Sequence, residues 1–424
     1  MEKELEQYFD RLWPLCRSIT GDGLRESLRI LSEIVPLELH EVPSGTAVLD
    51  WEIPDEWWIK AGWIETPEGK KICNFSENNL HVVNYSEGVD KTVRFEELAQ
   101  HLHHYADLPG AVPYITSYYK RRWGFCISKN EFDALPREGN YKVFIDAGHK
   151  KGSLTYGEAV LKGSSDREIL FSTYVCHPSM ANNELSGPLA TAFLYKQIAA
   201  IKNRKYTYRF VFAPETIGVI AFLSRSGMHL REKLDAGYVL TCCGDKGSFT
   251  YKRSRKSPTR ADRIAEHVLQ YSTKAHEIIN FAVGGSDERQ YCSPGYSLPV
   301  GSLMRTPYKK YPEYHTSFDN KSVLSFSALA ETVNLYYDIA RALELDDRYQ
   351  TTVPFGEPQL GKRGLYATEG DIVKLAGETR KLLHFISHAD GETWLLDAAA
   401  RFGCSITEFA SVVQTCREHK LIRD

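Results

Sequence analysis

The sequence predicts an α/β protein: a mixed sheet flanked by helices, interrupted by a small α+β or β-rich insertion and followed by a C-terminal module of short helices. Three observations predict it. From about residue 152, short apolar runs alternate with stretches of helical periodicity. Residues 46–151 change to turn-bounded, aromatic-rich runs, and 365–424 carries three short helical patterns closed by an apolar stub. At 424 residues the chain exceeds the usual size of one domain, and 42% hydrophobic residues are enough for a sizeable core.

In chain order, Leu5, Tyr8, Phe9, Leu12 and Leu15 recur at helical spacing, so a helix is expected over 3–17. Gly21-Asp22-Gly23 breaks the run, and Leu24, Leu28 and Leu31 open a second helix over 22–35. The inserted segment gathers Trp51, Trp57, Trp58, Trp63 and Trp123 with runs such as Lys71-Ile72-Cys73-Asn74-Phe75 and His81-Val82-Val83-Asn84-Tyr85. His101, His103 and His104 do not share a helix face, because positions i and i+2 diverge, so they are expected in solvated or capping roles.

Strands are expected near 157–162, 168–175, 207–213, 237–242 and 297–303, with helices near 186–201, 216–228, 259–272 and 322–344. Ser186-Gly187-Pro188 starts the first of these helices, where free N–H groups help hold an anion or a polarised water. The core then comprises 1–45 and 152–345, the insertion 46–151, and a Pro-, Gly- and charge-rich linker 346–364. In 365–424, Leu382, Leu383, Phe385 and Ile386 mark one helix, 394–402 a second and 406–419 a third. Lys420-Leu421-Ile422 adds a strand-like stub, and together they read as a winged helix.

Charge narrows the partners. A net charge of −3 gives no global reason to expect nucleic acid or an anionic membrane. Within 365–424, seven Lys/Arg face nine Asp/Glu, a balance of −2, and the third helix carries Glu408 with almost no base before Arg417. Phosphate neutralisation needs a basic face, so this module is expected to contact protein or mediate homo-oligomerisation rather than read DNA. The charged start Met-Glu-Lys-Glu-Leu-Glu lacks a signal-peptide apolar region, and no apolar run is long enough to span a bilayer, so a cytoplasmic location is expected. Nine dispersed cysteines with no Cys-x-x-Cys argue for buried free thiols.

Polar residues punctuate the ends of successive apolar runs. His177, in Cys176-His177-Pro178-Ser179, follows the run 168–175; Glu215, in Pro214-Glu215-Thr216-Ile217-Gly218, follows 207–213; His315 lies in Tyr314-His315-Thr316. Each has an ordinary reading by itself, a satisfied polar residue or an acid in the first turn of a helix. Their order favours an open metal site, in which rigid strand ends fix the ligands and a crevice keeps one position free.

That order resembles the zinc-dependent exopeptidases of the aminopeptidase and glutamate-carboxypeptidase type. More narrowly, the whole chain is similar to a bacterial family of aminopeptidase-like proteins with an inserted small domain and a C-terminal winged helix, often labelled polysaccharide-biosynthesis-associated. The resemblance rests on 176–188 with its Asn182-Asn183-Glu184-Leu185-Ser186-Gly187, on 214–218, on Gly285-Ser286-Asp287-Glu288-Arg289-Gln290-Tyr291-Cys292, and on 311–319. It implies that His177 and His315 are zinc ligands and that Glu215 is the general base. Asn183 stands where the family has a metal-bridging Asp and, with Glu184 beside it, is a candidate metal ligand, whereas Thr216 replaces a second Glu that would be a ligand. Cys242 falls where another ligand Asp is expected, with Asp245 close by.

A reduced site holding one zinc ion is therefore expected, rather than a pair about 3.5–4 Å apart. The expected activity is metal-dependent hydrolysis of a small amide, peptide or aminoacyl-type substrate. A catalytically reduced scaffold that binds a small ligand, and a winged-helix regulator, remain as alternatives. Asp287 is a candidate for orienting an amine, and Arg289 or Arg305 for clamping a carboxylate, against an internal Asp–Arg pair that shapes the loop. Tyr314 is expected to face substrate.

Overall fold

Eight strands build the sheet that organises residues Met1–Ala261 and His276–Val333, the larger of two compact units. The computed structural model describes residues 1–365 and 372–423. In chain order the strands are β1 (Glu38–Pro43), β2 (Ser153–Leu161), β3 (Glu168–Tyr174), β4 (Thr207–Ala213), β5 (Leu234–Val239), β6 (Phe249–Lys252), β7 (His276–Ile279) and β8 (Val300–Met304). Their spatial order is β1-β2-β4-β3-β5-β8-β6-β7. The central strands β4, β3, β5 and β8 are parallel, whereas β1, β2 and β6 join antiparallel.

Every residue of β3 is buried, which explains the unbroken apolar run read from the sequence. The chain places β4 on one side of β3 and β5 on the other, so a crevice opens at the carboxyl ends of these strands. Strand register then sets the site. Tyr174 pairs with Ala213, so the strands end level, and the residues just beyond, His177 and Glu215, emerge side by side.

Helices α1 (Glu2–Leu12) and α2 (Asp22–Leu31) are shorter than expected. Pro14 lacks the N–H that would carry α1 onward. Helix α3 (Ser186–Ala199) follows a π-helical turn at Ala181–Leu185, and α4 (Ile217–Lys233) follows Glu215 and Thr216. Strands β1, β6 and β7 were not expected. β1 is an exposed edge strand with charged residues in its pattern, and β6 and β7 have four residues each.

The insertion contains a four-stranded antiparallel sheet in the order Lys71–Ile72, Glu56–Glu65, Asn140–Lys150, Val89–Arg94. Its Trp57, Tyr85 and Tyr141 belong to the same apolar cluster as Leu154, Leu170 and Val211 of the main sheet. Packing therefore joins insertion and core in one unit, where composition alone suggested a separate domain. His101 stacks on Trp123 at 3.6 Å between ring centroids, a packing role rather than a solvated one.

The second unit comprises Asp262–Ala275 and Asn334–Asp424. Its helices Ile372–His388, Leu395–Phe402 and Ala410–Glu418 bury Phe385, Leu395, Ile406, Val413 and Cys416. Ser405 and Glu408 form a reciprocal capping box ahead of the third helix. The stretch read as a linker is partly built into this unit: Gln350 bridges to Asp390 and Thr351 to Ile422, antiparallel, as a wing would. Glu369, Asp371 and Asp424, counted in the charge balance, lie outside the described residues. All nine cysteines are unpaired. Among the described residues no helix is long and apolar enough to cross a membrane.

Candidate functional site

His177 leaves the end of β3 with its ring orientation fixed from behind. Its Nδ1 lies 2.9 Å from Glu184 Oε2, on the π-helical turn. Glu184 is wholly buried; its Oε1 accepts the Cys176 N–H at 2.5 Å and lies 3.6 Å from Arg17 Nε. Arg17, equally buried, donates to the carbonyls of His177 (3.0 Å) and Leu12 (2.6 Å). Two buried opposite charges thus satisfy one another and hold the imidazole. Burial opposes the protonated ring, yet the Glu184 hydrogen bond and the charges of Glu184 and Glu215 keep His177 above its ordinary value. With Nδ1 committed to Glu184, Nε2 faces the crevice, 3.6 Å from Glu215 Oε2.

His315 comes from the loop after β8 and sits at φ 56°. Its ring lies 5.4 Å from that of His177, with Tyr114 packed at 4.9 Å from His177 and 5.2 Å from His315. Tyr314 stacks on His315 at 4.0 Å, which makes it a support for this ring. Burial, reinforced by His177 and Lys309, pushes His315 down to about 3, so it is a neutral imidazole. Its Nε2 is buried and has no hydrogen-bond partner.

Glu215 follows β4 through Pro214, and Thr216 adopts φ 63°, ψ −79°, a strained conformation for a β-branched residue. Thr216 is pinned on both sides: its N–H donates to Asp287 Oδ1 at 2.7 Å, and its hydroxyl accepts from Arg289 Nη2 at 2.8 Å. Burial raises the Glu215 carboxyl, opposed by the charges of His177 and Arg289. His177, Glu215, Thr216, Arg289 and His315 together line a cavity of about 550 Å³, walled by Tyr114 and other aromatic and aliphatic side chains.

Other expected residues are placed differently. Glu184, expected as a ligand, is spent on Cys176, Arg17 and His177, so it acts behind His177. Arg305 is also corrected: it is buried and donates to Gly247, Ala328, Thr332 and Glu331, which leaves no fork for substrate. Asp245 accepts from Asn182, Gly247 and Thr306 and is committed to its loop. Asp287 is fully buried beneath Thr216, whose N–H it accepts, and does not line the cavity where an amine would sit; burial and Glu215 push its carboxyl well above the usual range. Burial pushes the Cys242 thiol up to about 12, so it is not a thiolate. Asn183 donates from Nδ2 to the Tyr174 hydroxyl at 2.9 Å, and its Oδ1 is buried without a partner.

These donors decide what metal content fits. Two ions do not fit, because Thr216, Asn183 and Cys242 replace the carboxylates a bridged pair needs. The donors left over, His177 Nε2 on a ring oriented by a carboxylate and His315 Nε2 buried without a partner, are of the type that suits a single divalent ion. Among the described residues, the tight cluster of ligand-type atoms is Cys176, His177 and Glu184. It lies on the Nδ1 side, and its thiol is pushed well above its ordinary value by burial, so it reads as support for the ring.

Arg17, Cys176, Tyr114 and Asp319 were not singled out from the sequence. Asp319 accepts the Asn182 and Asn183 N–H groups at 2.7 and 2.9 Å and so holds the π-helical turn. Its place four residues after His315 was a usable signal. Arg17, after a broken helix, gave none.

Comparison with known proteins bears on the family and the fold. The family model described as a domain of unknown function (DUF4910) matches residues 6–346, and a winged helix-turn-helix model matches 347–424. A Clostridium acetobutylicum protein, provisionally named a polysaccharide biosynthesis protein with an aminopeptidase-like domain, is 42% identical over 400 residues, 94% of this chain and 91% of that protein. The crystal structure of a candidate peptidase from the same organism superposes with a TM-score of 0.92 at 40% identity, covering 100% of this chain and 96% of that one. A zinc aminopeptidase of Bacillus subtilis shares the fold, with a TM-score of 0.59 at 12% identity over 81% of this chain and 93% of its own.

Proposed function

The chain belongs to the DUF4910 family, with an aminopeptidase-like fold and a C-terminal winged helix, and we propose that it is a metal-dependent hydrolase of a small amide, peptide or aminoacyl-type substrate. One observation carries the reading: His177 and Glu215, at level strand ends, meet the His315 imidazole from the loop after β8 inside a cavity large enough for such a substrate. His177 and His315 would hold one divalent ion, with Asn183 Oδ1, buried and without a partner, a candidate for a further neutral oxygen. When bound, the ion supplies Lewis acidity toward an amide carbonyl and its attacking water.

Glu215 does the proton transfer. It takes a proton from water as the oxygen adds to the carbonyl carbon, and delivers that proton to the nitrogen as the C–N bond breaks, giving an acid and an amine. A carboxyl raised by burial suits both halves of that task. Glu184 and Arg17 keep His177 oriented, and the aromatic wall limits water. The winged helix, with its acidic balance, serves as a protein contact.

Elemental analysis tests the reading: about one zinc per chain is expected, with strong loss in His177→Ala and His315→Ala. Glu215→Gln should keep the metal while turnover falls by roughly 10²-fold or more. Thr216, Asn183 and Cys242 at positions where carboxylates are expected favour a second reading, a ligand-binding scaffold. Wild-type protein that stays metal-free after incubation with excess zinc would select it.

A further inference from the structure

Arg17, Arg289 and Arg305 differ in their pairing, and of these Arg289 lines the cavity. Arg17 faces Glu184, and Arg305 faces Glu331. Arg289 makes one hydrogen bond, to Thr216 Oγ1, and forms no ion pair among the described residues. Its Nε is buried without an acceptor. A guanidinium carries five N–H donors in a planar fork, so most of this one is unspent, and it lines the cavity that holds His177, Glu215 and His315.

An uncompensated cation in a half-buried cleft is costly unless a ligand brings the anion. Glu215 and Asp287 feel its charge, but neither forms an ion pair with it. Glu215 is engaged with His177, and Asp287 is sealed beneath Thr216, whose N–H it accepts. Among the described residues, the cavity lining offers an ammonium group no carboxylate besides Glu215, although the fold is that of aminopeptidases. The wall adds apolar selectivity through Tyr114, Ile115 and Ile217. At the mouth, Trp51 and Tyr119 meet edge to face at 5.6 Å and remain 40% and 57% exposed.

We infer that the site selects a monoanionic substrate, an N-acyl amino acid or acylated peptide end with an apolar side chain, whose free carboxylate is held by Arg289. A carboxylate fits better than a phosphate, because a single cation offsets a single charge. The inference names the substrate of the proposed hydrolase, so it rests on that reading for the bond that breaks. The charge preference itself is a binding property and is measured without turnover.

Titration calorimetry on the full chain, zinc-loaded and chelator-treated, would compare N-acetylphenylalanine, its neutral amide, and the cationic phenylalanine amide. The acid is expected to bind roughly tenfold or more tighter than its amide in both metal states, the size of a charged hydrogen-bond pair. Arg289→Gln should abolish the difference and Arg289→Lys retain part of it, because a point charge replaces the fork. The inference is overturned if the wild type binds acid and amide alike, binds the cation best, or fails to bind the acid at millimolar concentration. It is equally overturned if the preference disappears on chelation or survives Arg289→Gln in folded protein. Should Arg289→Gln not fold, the wild-type ligand series decides. A preserved preference in a protein without hydrolytic activity would sink the hydrolase reading alone.

Discussion

Replacing Glu184 by Gln keeps the shape of a wholly buried side chain and removes its charge. Three contacts feel the change: the Cys176 N–H at 2.5 Å, Arg17 Nε at 3.6 Å and His177 Nδ1 at 2.9 Å. The amide oxygen is needed by Cys176 and Arg17, so the amide NH₂ turns toward His177. Nδ1 must then accept, the ring proton moves to Nε2, and the nitrogen facing the crevice is no longer a lone-pair donor. Removing one member of a buried pair costs about 3–5 kcal/mol. Arg17 keeps its two carbonyl acceptors, which places the expected loss near the lower end, about 3 kcal/mol. Zinc affinity should fall by roughly 10- to 100-fold. Urea unfolding followed by circular dichroism reads the first quantity and competition with a chelator reads the second. The double variant Arg17→Met/Glu184→Gln separates them: it should recover stability relative to Glu184→Gln without recovering zinc affinity. A Glu184→Gln protein with wild-type stability and wild-type zinc affinity would refute the orientation argument.

Three further outcomes follow from the contacts. Arg305→Ala should destabilise the protein by about 2–4 kcal/mol through four lost hydrogen bonds, one of them the ion pair to Glu331, yet leave ligand affinity unchanged in titrations; weakened binding in a folded variant would return Arg305 to the substrate site. His267 accepts the Ile406 N–H at 2.9 Å, and burial pushes it down to about 4. Its contribution is therefore complete above about pH 6.5 and is lost as pH falls toward 4, by about 2 kcal/mol after allowance for solvent screening. Comparing unfolding at about pH 7 and about pH 4.5, His267→Gln should show a shallower acid loss than wild type; equal slopes would show that His267 is not the group responsible. The full chain should not shift duplex DNA at sub-micromolar protein concentration in physiological salt, and tight binding that weakens steeply with added salt would make the winged helix a DNA reader.

Much of this was written in the order of residues. The apolar runs 168–175 and 207–213 are β3 and β4 because fully buried central strands need no polar alternation, and the polar residues just past them are His177 and Glu215. Helices with strong apolar periodicity were legible too, with starts placed within about a turn and some ends, such as those of α1 and α4, missed by five residues. The edge strand β1 and the short β6 and β7 were not, because exposed or four-residue strands leave almost no periodic signal.

By itself the sequence determined which chemical groups stand at the ends of the central strands, since that depends on local alternation and on the residue that follows it. Tertiary structure alone decided which of them serve the cavity. Arg289 and Arg305 look equivalent in one dimension, yet Arg305 is consumed by Glu331 and neighbouring carbonyls while Arg289 stays unpaired. Glu184 looks like a ligand until Arg17, 167 positions earlier, is found against it. Charge compensation in a protein interior is set by which distant segments are packed together, and no local pattern encodes that choice.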